Sequence, residues 1–262
     1  MDSINIIKVG GGVIEDAKKL DTFLDGFANL NEAKILVHGG GSRATEIGEK
    51  LGLEAIKVDG RRVTNDDYLE VVTMVYGGLI NKQLVAKLQK RGCQAIGLTG
   101  ADGDYLRSMK RPVMDGIDYG WVGDPVNIRS FFLIKLLKDG LIPVAAPLTH
   151  DGAGNMLNTN ADTIASTIAS ALSENYRVNL IYAFELDGVL KDIKDPTSLI
   201  RTIDMKGYAG LKKSGGIFDG MIPKLDNAFD AIAKGVASVK IVKYDAIDKL
   251  GFSSFKDYTH IA

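Results

Sequence analysis

INIIKVGGG (residues 4–12) and AKILVHGGG (residues 33–41) share one plan: an apolar run enters three consecutive glycines. A segment with helical spacing comes after each. A strand that passes through glycines into a helix presents backbone N–H groups at the positive end of the helix dipole. Glycine lets another group approach the backbone closely and admits positive φ. One such triplet reads equally well as a turn, whereas two in equivalent places read as a floor for anionic groups. Only the first triplet is preceded by a lysine, Lys8. An alternating strand aims it away from Ile7 and Val9, and among apolar neighbours it needs negative charge to meet. The commonplace alternative is a lysine guarding an edge strand.

Outward from the triplets, short β-branched runs alternate with helical periods, the pattern of a mostly parallel sheet covered by helices. Strands are expected at 5–9, 33–38, 94–100, 141–147, 178–184 and 238–243, the last closing the fold. Helices are expected at 15–30, 43–53, 130–140, 160–173 and 220–235. Apolar residues at three- and four-residue spacing from Asp66 to Arg91 predict one long helix, bent at Gly77 and Gly78. Residues 101–127 read as hairpins on the sheet edge, HDGAGN (150–155) as a hairpin turn, and DPTSLIRTI (195–203) as a loop with a short element. A soft boundary between Leu172 and Val178 separates an N-terminal lobe, 1–172, from a C-terminal lobe, 173–262.

Composition excludes several classes. The chain has 262 residues, 45% hydrophobic and 25% charged, with a net charge of -1. Its charges are scattered, so nothing points to nucleic acid or an anionic membrane. The single cysteine, Cys93, excludes an internal disulfide framework and fits a reducing compartment. Neither a signal peptide nor a membrane span is legible. A cytosolic protein is expected.

The anion is not held by either familiar glycine loop. GGGVIEDA and GGGSRATE lack the G-x-x-x-x-G-K-[ST] of a Walker A loop. The spacing fails the dinucleotide fingerprint, and the second strand ends in His38 rather than an acid. Other polar insertions suit a carboxylate-bearing ligand. DGRRVTNDD (59–67) places Arg61 and Arg62 before a helix capped by Thr64 or Asn65, and an arginine fork fits a carboxylate; two solvated arginines are the plain alternative. NTNAD (158–162) puts Asn158 and Asn160 on one side of an extended chain. Asp162 falls in the first helical turn, where favouring the dipole is its ordinary role. GGIFDGMIPK (215–224) leads through glycines to Lys224, otherwise an exposed helical lysine. His38, His150 and His260 lie far apart and read as structural or exposed.

IIKVGGG, VHGGG, DGRRVT, NTNAD and DGMIPK together, in this order and spacing from Ile4 to the final THI, resemble the amino-acid kinase family, and within it the branch that phosphorylates N-acyl-L-glutamates. The resemblance implies a three-layer αβα sandwich with a mostly parallel central sheet, in which the N-terminal lobe binds the acyl-amino acid and forms the dimer, and the C-terminal lobe binds ATP. It implies ATP-dependent phosphorylation of a side-chain carboxylate, N-acetyl-L-glutamate being the leading acceptor, in arginine biosynthesis. Lys8 and Lys224 resemble the lysines that neutralise the phosphoryl group in transit, and Asp162 the aspartate that orients both. Gly10 and Gly11 are implied to donate N–H groups to the phosphates. Gly40 and Gly41 are implied to hold the substrate's side-chain carboxyl, Arg62 and Asn158 to bind its α-carboxylate, and Asn160 to serve the substrate side. Glu185, Leu186, Asp187, Gly188, Val189, Leu190, Gly216, Ile217, Phe218 and Met221 line the nucleotide site. Glu185 departs from the aspartate usual there. Mg2+ arrives with ATP, held through its phosphates.

The residues agree with that chemistry. A carboxylate nucleophile needs no general base, so the lack of a His or Cys constellation fits, and positioning with charge stabilisation dominates phosphoryl transfer. Kinases of N-succinylglutamate or carrier-linked aminoadipate are the related alternatives, and a non-catalytic sensor of the same fold is the alternative of another class. The apolar helix 66–91 reads equally as core or as a subunit interface, and the resemblance implies a homodimer through it. Beside similar arginine-inhibited hexamers, which carry an extra N-terminal helix, a start this close to the first strand implies insensitivity to arginine.

Overall fold

The computed structural model describes residues 1–58, 61–214, 216 and 221–262, with Arg61 and Ser214 described for their backbone alone. Two compact units divide it: Met1–Lys34 with Ala165–Ala262, and Ile35–Ile164. The division differs from the expected boundary between Leu172 and Val178. It falls within the helix Ala161–Leu172, and the first strand groups with the C-terminal part because its ladder partner is there.

In the first unit, Ser3–Val9 pairs in parallel with Arg177–Phe184, Ile7 opposite Ile181 and Lys8 opposite Tyr182. Arg177–Phe184 pairs in parallel with Ser238–Lys243. The sheet does not close there, as the sequence suggests: Tyr258–Ile261 adds antiparallel to Ser238–Lys243, and Thr202–Ile203 pairs parallel to Tyr258–Ile261. Ile4, Ile6, Ile7 and Val9 are wholly buried, as are Val178, Leu180, Val239 and Ile241, the two-sided burial that parallel strands require.

The helix expected at 15–30 is two helices, Gly11–Glu15 and Ala17–Ala28. Asp16 is extended between them and its side chain accepts from Lys18 N at 2.9 Å and Lys19 N at 3.1 Å. An aspartate that can satisfy orphan amides starts a new helix more readily than it continues an old one. Leu20, Phe23, Leu24 and Phe27, at helical spacing, are its buried stripe. At its end the buried ammonium of Lys34 donates to the carbonyls of Phe27 (2.8 Å), Ala28 (3.0 Å) and Leu30 (2.7 Å). A helix Met205–Ser214, unforeseen in the sequence, packs beside Ile222–Ala233.

In the second unit, the strand Ala33–His38, which begins just before the division, and Ala95–Leu98 both pair in parallel with Ile142–Ala145. Residues 101–127 and the segment 148–158 build a second sheet in the order Met156–Asn158, Leu148–His150, Leu106–Lys110, Gly123–Ile128. The long helix is continuous: Asp66–Val72 and Asn81–Gln89 are α-helical, and Thr73–Ile80 between them, which holds Gly77 and Gly78, is wound as a π-helix. Gly77 lies in that wider winding, where a Cβ would stand 3.3 Å from Leu148 Cδ1 and 3.5 Å from Thr99 Cγ2. The mostly parallel, helix-flanked sheet predicted from the strand–helix alternation is present. No helix among the described residues is long and apolar enough to cross a membrane.

Candidate active site

The second unit gathers the residues expected to hold a carboxylate. Gly40 ends the loop after Ala33–His38, and Gly41 starts the helix Gly41–Lys50. A Cβ on Gly40 would lie 2.5 Å from Ile80 Cδ1 and 3.0 Å from Tyr76 Cδ1, so the π-wound segment packs against the loop and excludes any side chain. Around Gly41 the same position is open, with no atom within 4 Å. Arg62 is buried and donates from Nη2 to Gly41 O at 2.8 Å and to Thr45 Oγ1 at 2.6 Å. Its guanidinium carbon stands 4.7 Å from the Tyr68 ring centroid. Nη1 is also buried, and makes no hydrogen bond among the described residues.

Thr64 links Arg62 to Asn158. Its hydroxyl donates to Arg62 O at 3.4 Å and accepts from Asn158 Nδ2 at 2.9 Å. Backbone bonds add a strut from the 119–121 segment: Thr64 N to Tyr119 O (2.9 Å), Trp121 N to Thr64 O (2.6 Å), and Asn158 N to Trp121 O (2.8 Å). The helix cap is Asn65, whose side chain accepts from Tyr68 N at 2.9 Å. Asn160 does not extend alongside Asn158. The chain turns there, and Asn160 Oδ1 accepts from Asp162 N (2.8 Å) and Thr163 N (3.1 Å), capping Ala161–Leu172. Asp162, in the first turn, is only 6% exposed. An isolated carboxylate with no more to do than face a helix dipole would keep its water.

Thr45, Tyr68 and Tyr76 escaped the sequence reading. Thr45 was within reach, since it lies one helical turn beyond Gly41 and its hydroxyl donates to Gly41 O at 3.0 Å. Burial raises the pKa of the Tyr76 phenol, an effect the nearby Arg62 charge opposes. His38 is wholly buried and, at a pKa lowered by burial to about 4, neutral at ordinary pH. Its Nδ1 lies 2.8 Å from Gly39 O and its Nε2 3.2 Å from Asn81 Nδ2, so Nδ1 donates and Nε2 accepts. It is a structural histidine that fixes the loop entering the second triplet.

The first unit holds both lysines. Lys8, near the end of Ser3–Val9, is 8% exposed in a strand buried from Ile4 to Val9, which removes the edge-strand alternative. Lys224 is the third residue of Ile222–Ala233, half-buried, and Met221, wholly buried, precedes that helix. Gly10 differs from expectation: its N–H donates to Ala183 O at 2.9 Å, continuing the strand ladder, and is not available to a phosphate. Gly11 and Gly12, in the first turn of Gly11–Glu15, carry amides with no intrahelical acceptor.

Glu185 lies over Gly12, where a Cβ would come within 2.4 Å of Oε2. It forms an ion pair with Lys19, whose pKa it raises. Beyond it, Leu186 and Asp187 are partly exposed, and Gly188 is enclosed: a Cβ there would meet Thr259 Oγ1 at 2.4 Å and Leu199 Cδ1 at 2.7 Å. Val189 and Leu190 are buried and pair with Leu199–Ile200. Thr259, wholly buried in the last strand, latches this hairpin, accepting from Val189 N at 2.8 Å and donating to Ile200 O at 2.6 Å. Gly216 N closes the end of Met205–Ser214 on Leu211 O at 3.0 Å. Ile217 and Phe218 lie outside the described residues.

The profile of the amino acid kinase family matches residues 3–243. An acetylglutamate kinase of Cytophaga hutchinsonii is 56% identical over 250 residues, 95% of each chain. One of Bacteroides fragilis is 50% identical over 255 residues, 97% of each chain. The fold is similar to that of a solved protein of Streptococcus mutans, with a TM-score of 0.78 at 28% identity, covering 91% of this chain and 94% of that one.

Proposed function

Because this chain belongs to the amino acid kinase family, we propose that it transfers the γ-phosphoryl group of ATP to the side-chain carboxylate of N-acetyl-L-glutamate, giving an acyl phosphate and ADP. A carboxylate oxygen forms the new bond to phosphorus as the bond from phosphorus to the ADP oxygen breaks. The nucleophile is already an anion, so no base takes a proton, and the protein's work is to hold two anions together and offset their charge.

The observation that carries this reading is Arg62. A guanidinium with one nitrogen engaged by Gly41 and Thr45, and another buried with no hydrogen bond among the described residues, is poised for a carboxylate. Asn158, reached through Thr64, supports the same α-carboxylate. Gly41 offers an open approach to the side-chain carboxyl, with Gly40 keeping the backbone bare beside it. Lys8 and Lys224 supply the two ammonium groups that offset the charge of the phosphoryl group, and Asp162 takes the orienting role that the family resemblance gives it. Gly11 and Gly12, in place of Gly10, take the phosphate-facing amides. Asn160 contributes by fixing the helix that carries Asp162. The segment from Glu185 to Leu190, with Met221 and Gly216, forms the nucleotide wall.

We assign no protein ligand to magnesium. The ion that accompanies ATP is held by phosphate oxygens and water. The proposal extends to a homodimer through the helix Asp66–Gln89, on which Met74 is 55% exposed in an otherwise apolar run, and to action in the cytosol, where ATP is available. ADP release with Mg-ATP and N-acetylglutamate tests the reaction, run beside N-succinylglutamate and aminoadipate. Turnover with N-acetylglutamate supports it. ADP release with none of the three, from folded protein, rejects it in favour of a non-catalytic sensor.

A further inference from the structure

The helix that carries Lys224 starts at Ile222, and its second residue is Pro223, which has no N–H to offer a neighbour. Its first turn is contacted by a side chain of the helix Met205–Ser214. The buried hydroxyl of Tyr208 donates to Asp226 Oδ1 at 2.6 Å and lies 3.3 Å from Ile222 O. These acceptors stand two residues before and two residues after Lys224. The Tyr208 ring stacks on Phe229, centroids 5.2 Å apart and planes at 21°. Lys212, one turn beyond Tyr208, reaches the same Asp226 oxygen at 3.3 Å and sits 5.3 Å from the Tyr208 ring centroid.

Ring stacking alone would pack these helices together. The hydroxyl adds something different, because it grips the helix at points on both sides of Lys224. A helix turns by about 100° per residue, so a small rotation of the first turn about its axis swings a long side chain such as lysine through a wide arc. Burial raises the pKa of Tyr208, and Asp226 raises it further, so the phenol stays protonated and remains a donor.

We propose that Tyr208 is a positioning residue for the reaction: its hydroxyl, through Asp226 and the Ile222 carbonyl, fixes the rotation of the first turn and so the aim of the Lys224 ammonium. This rests on the reading of Lys224 as a lysine that offsets charge in phosphoryl transfer.

The test is a set of variants assayed for turnover and for thermal melting. Tyr208→Phe keeps the ring stack and loses the hydroxyl. Its kcat should fall roughly tenfold, the scale of a sub-ångström misplacement, with the KM for N-acetylglutamate within about twofold and the melting temperature within about 3 °C. Asp226→Ala, at an exposed position, should reproduce that loss, and Asp226→Asn, which keeps an acceptor oxygen, should recover most of it. In a Lys224→Met background, Tyr208→Phe should change the residual rate by less than about twofold. A Tyr208→Phe enzyme with unchanged kcat overturns the proposal, as does an equal loss in the Lys224→Met background. Should Tyr208→Phe fail to fold, Asp226→Ala with unchanged kcat overturns it equally. Lys224→Met turning over at the normal rate would instead overturn the reading of Lys224 on which this one rests.

Discussion

Arg62 Nη2 donates to the carbonyl oxygen of Gly41 across 2.8 Å, tying the second glycine triplet to a side chain twenty-one residues later in the chain. Removing the fork while keeping the charge isolates what that tie does. Arg62→Lys should raise the KM for N-acetylglutamate by roughly 10- to 100-fold, about 1.4–3 kcal/mol of lost charge-assisted hydrogen bonding. The KM for ATP should move by less than about threefold. Initial-rate kinetics with each substrate varied in turn measures both.

Two glycines with opposite surroundings should respond oppositely to alanine. At Gly188 a Cβ would meet Thr259 Oγ1 at 2.4 Å, with the Thr259 backbone nitrogen at 2.9 Å. Gly188→Ala should cost about 1–3 kcal/mol of overpacking and lower the melting temperature by several degrees, roughly 2–4 °C per kcal/mol. At Gly41 nothing lies within 4 Å. Gly41→Ala should melt as the parent does while losing turnover, because the methyl group enters the space assigned to the substrate's carboxyl. Scanning calorimetry beside the ADP assay separates the two cases.

Lys34 should behave as a structural cation. Its ammonium supplies donors to three carbonyls at the end of Ala17–Ala28, groups that a helix terminus leaves without intrahelical partners. Lys34→Met keeps the stem and leaves those carbonyls short of a donor, for a loss of about 2–4 kcal/mol in urea unfolding. The KM values of the folded fraction should not change.

The burial of His38 sets a pH dependence. In the folded chain its pKa is lowered to about 4, against 6.5 for an ordinary histidine. Between those values the unfolded chain binds the extra proton and the folded chain does not, so stability rises with pH through this window and is lost as pH falls from 6.5 toward 4. The loss from this one group reaches at most about 3 kcal/mol. Urea midpoints at pH 4.5 and pH 7 measure it, and His38→Gln should flatten the dependence.

Much of this architecture could be read from the chain because it is local. AKILVH is a strand from Ala33 to His38 as its pattern predicts, and the stripe Leu20, Phe23, Leu24, Phe27 declares its helix. What escaped depends on residues distant in sequence. Thr259 latches the hairpin of Val189–Leu190 with Leu199–Ile200, its bond to Val189 N spanning seventy residues, and no spacing rule joins the two. Two glycines inside a helical period suggest a bend, and nothing in that period declares the π-winding of Thr73–Ile80 around them. At the site, Arg62 and Asn158 were recognisable as polar intrusions, but their connection through Thr64 was not. Gly10 looked like its neighbours until its amide was found in the strand ladder. A glycine motif tells where backbone is exposed, not which amide a neighbouring strand has already taken.

Acyl phosphate formation with the help of Lys8 is the central step. Hydroxylamine traps acyl phosphates as hydroxamates, so the decisive measurement is the rate of hydroxamate formation from ATP and N-acetylglutamate, for the parent chain and for Lys8→Met. The parent should form hydroxamate in step with ADP, and Lys8→Met should be slower by roughly 100-fold or more at an unchanged melting temperature. ADP without hydroxamate, or a folded Lys8→Met protein that makes hydroxamate at the parent rate, would contradict it.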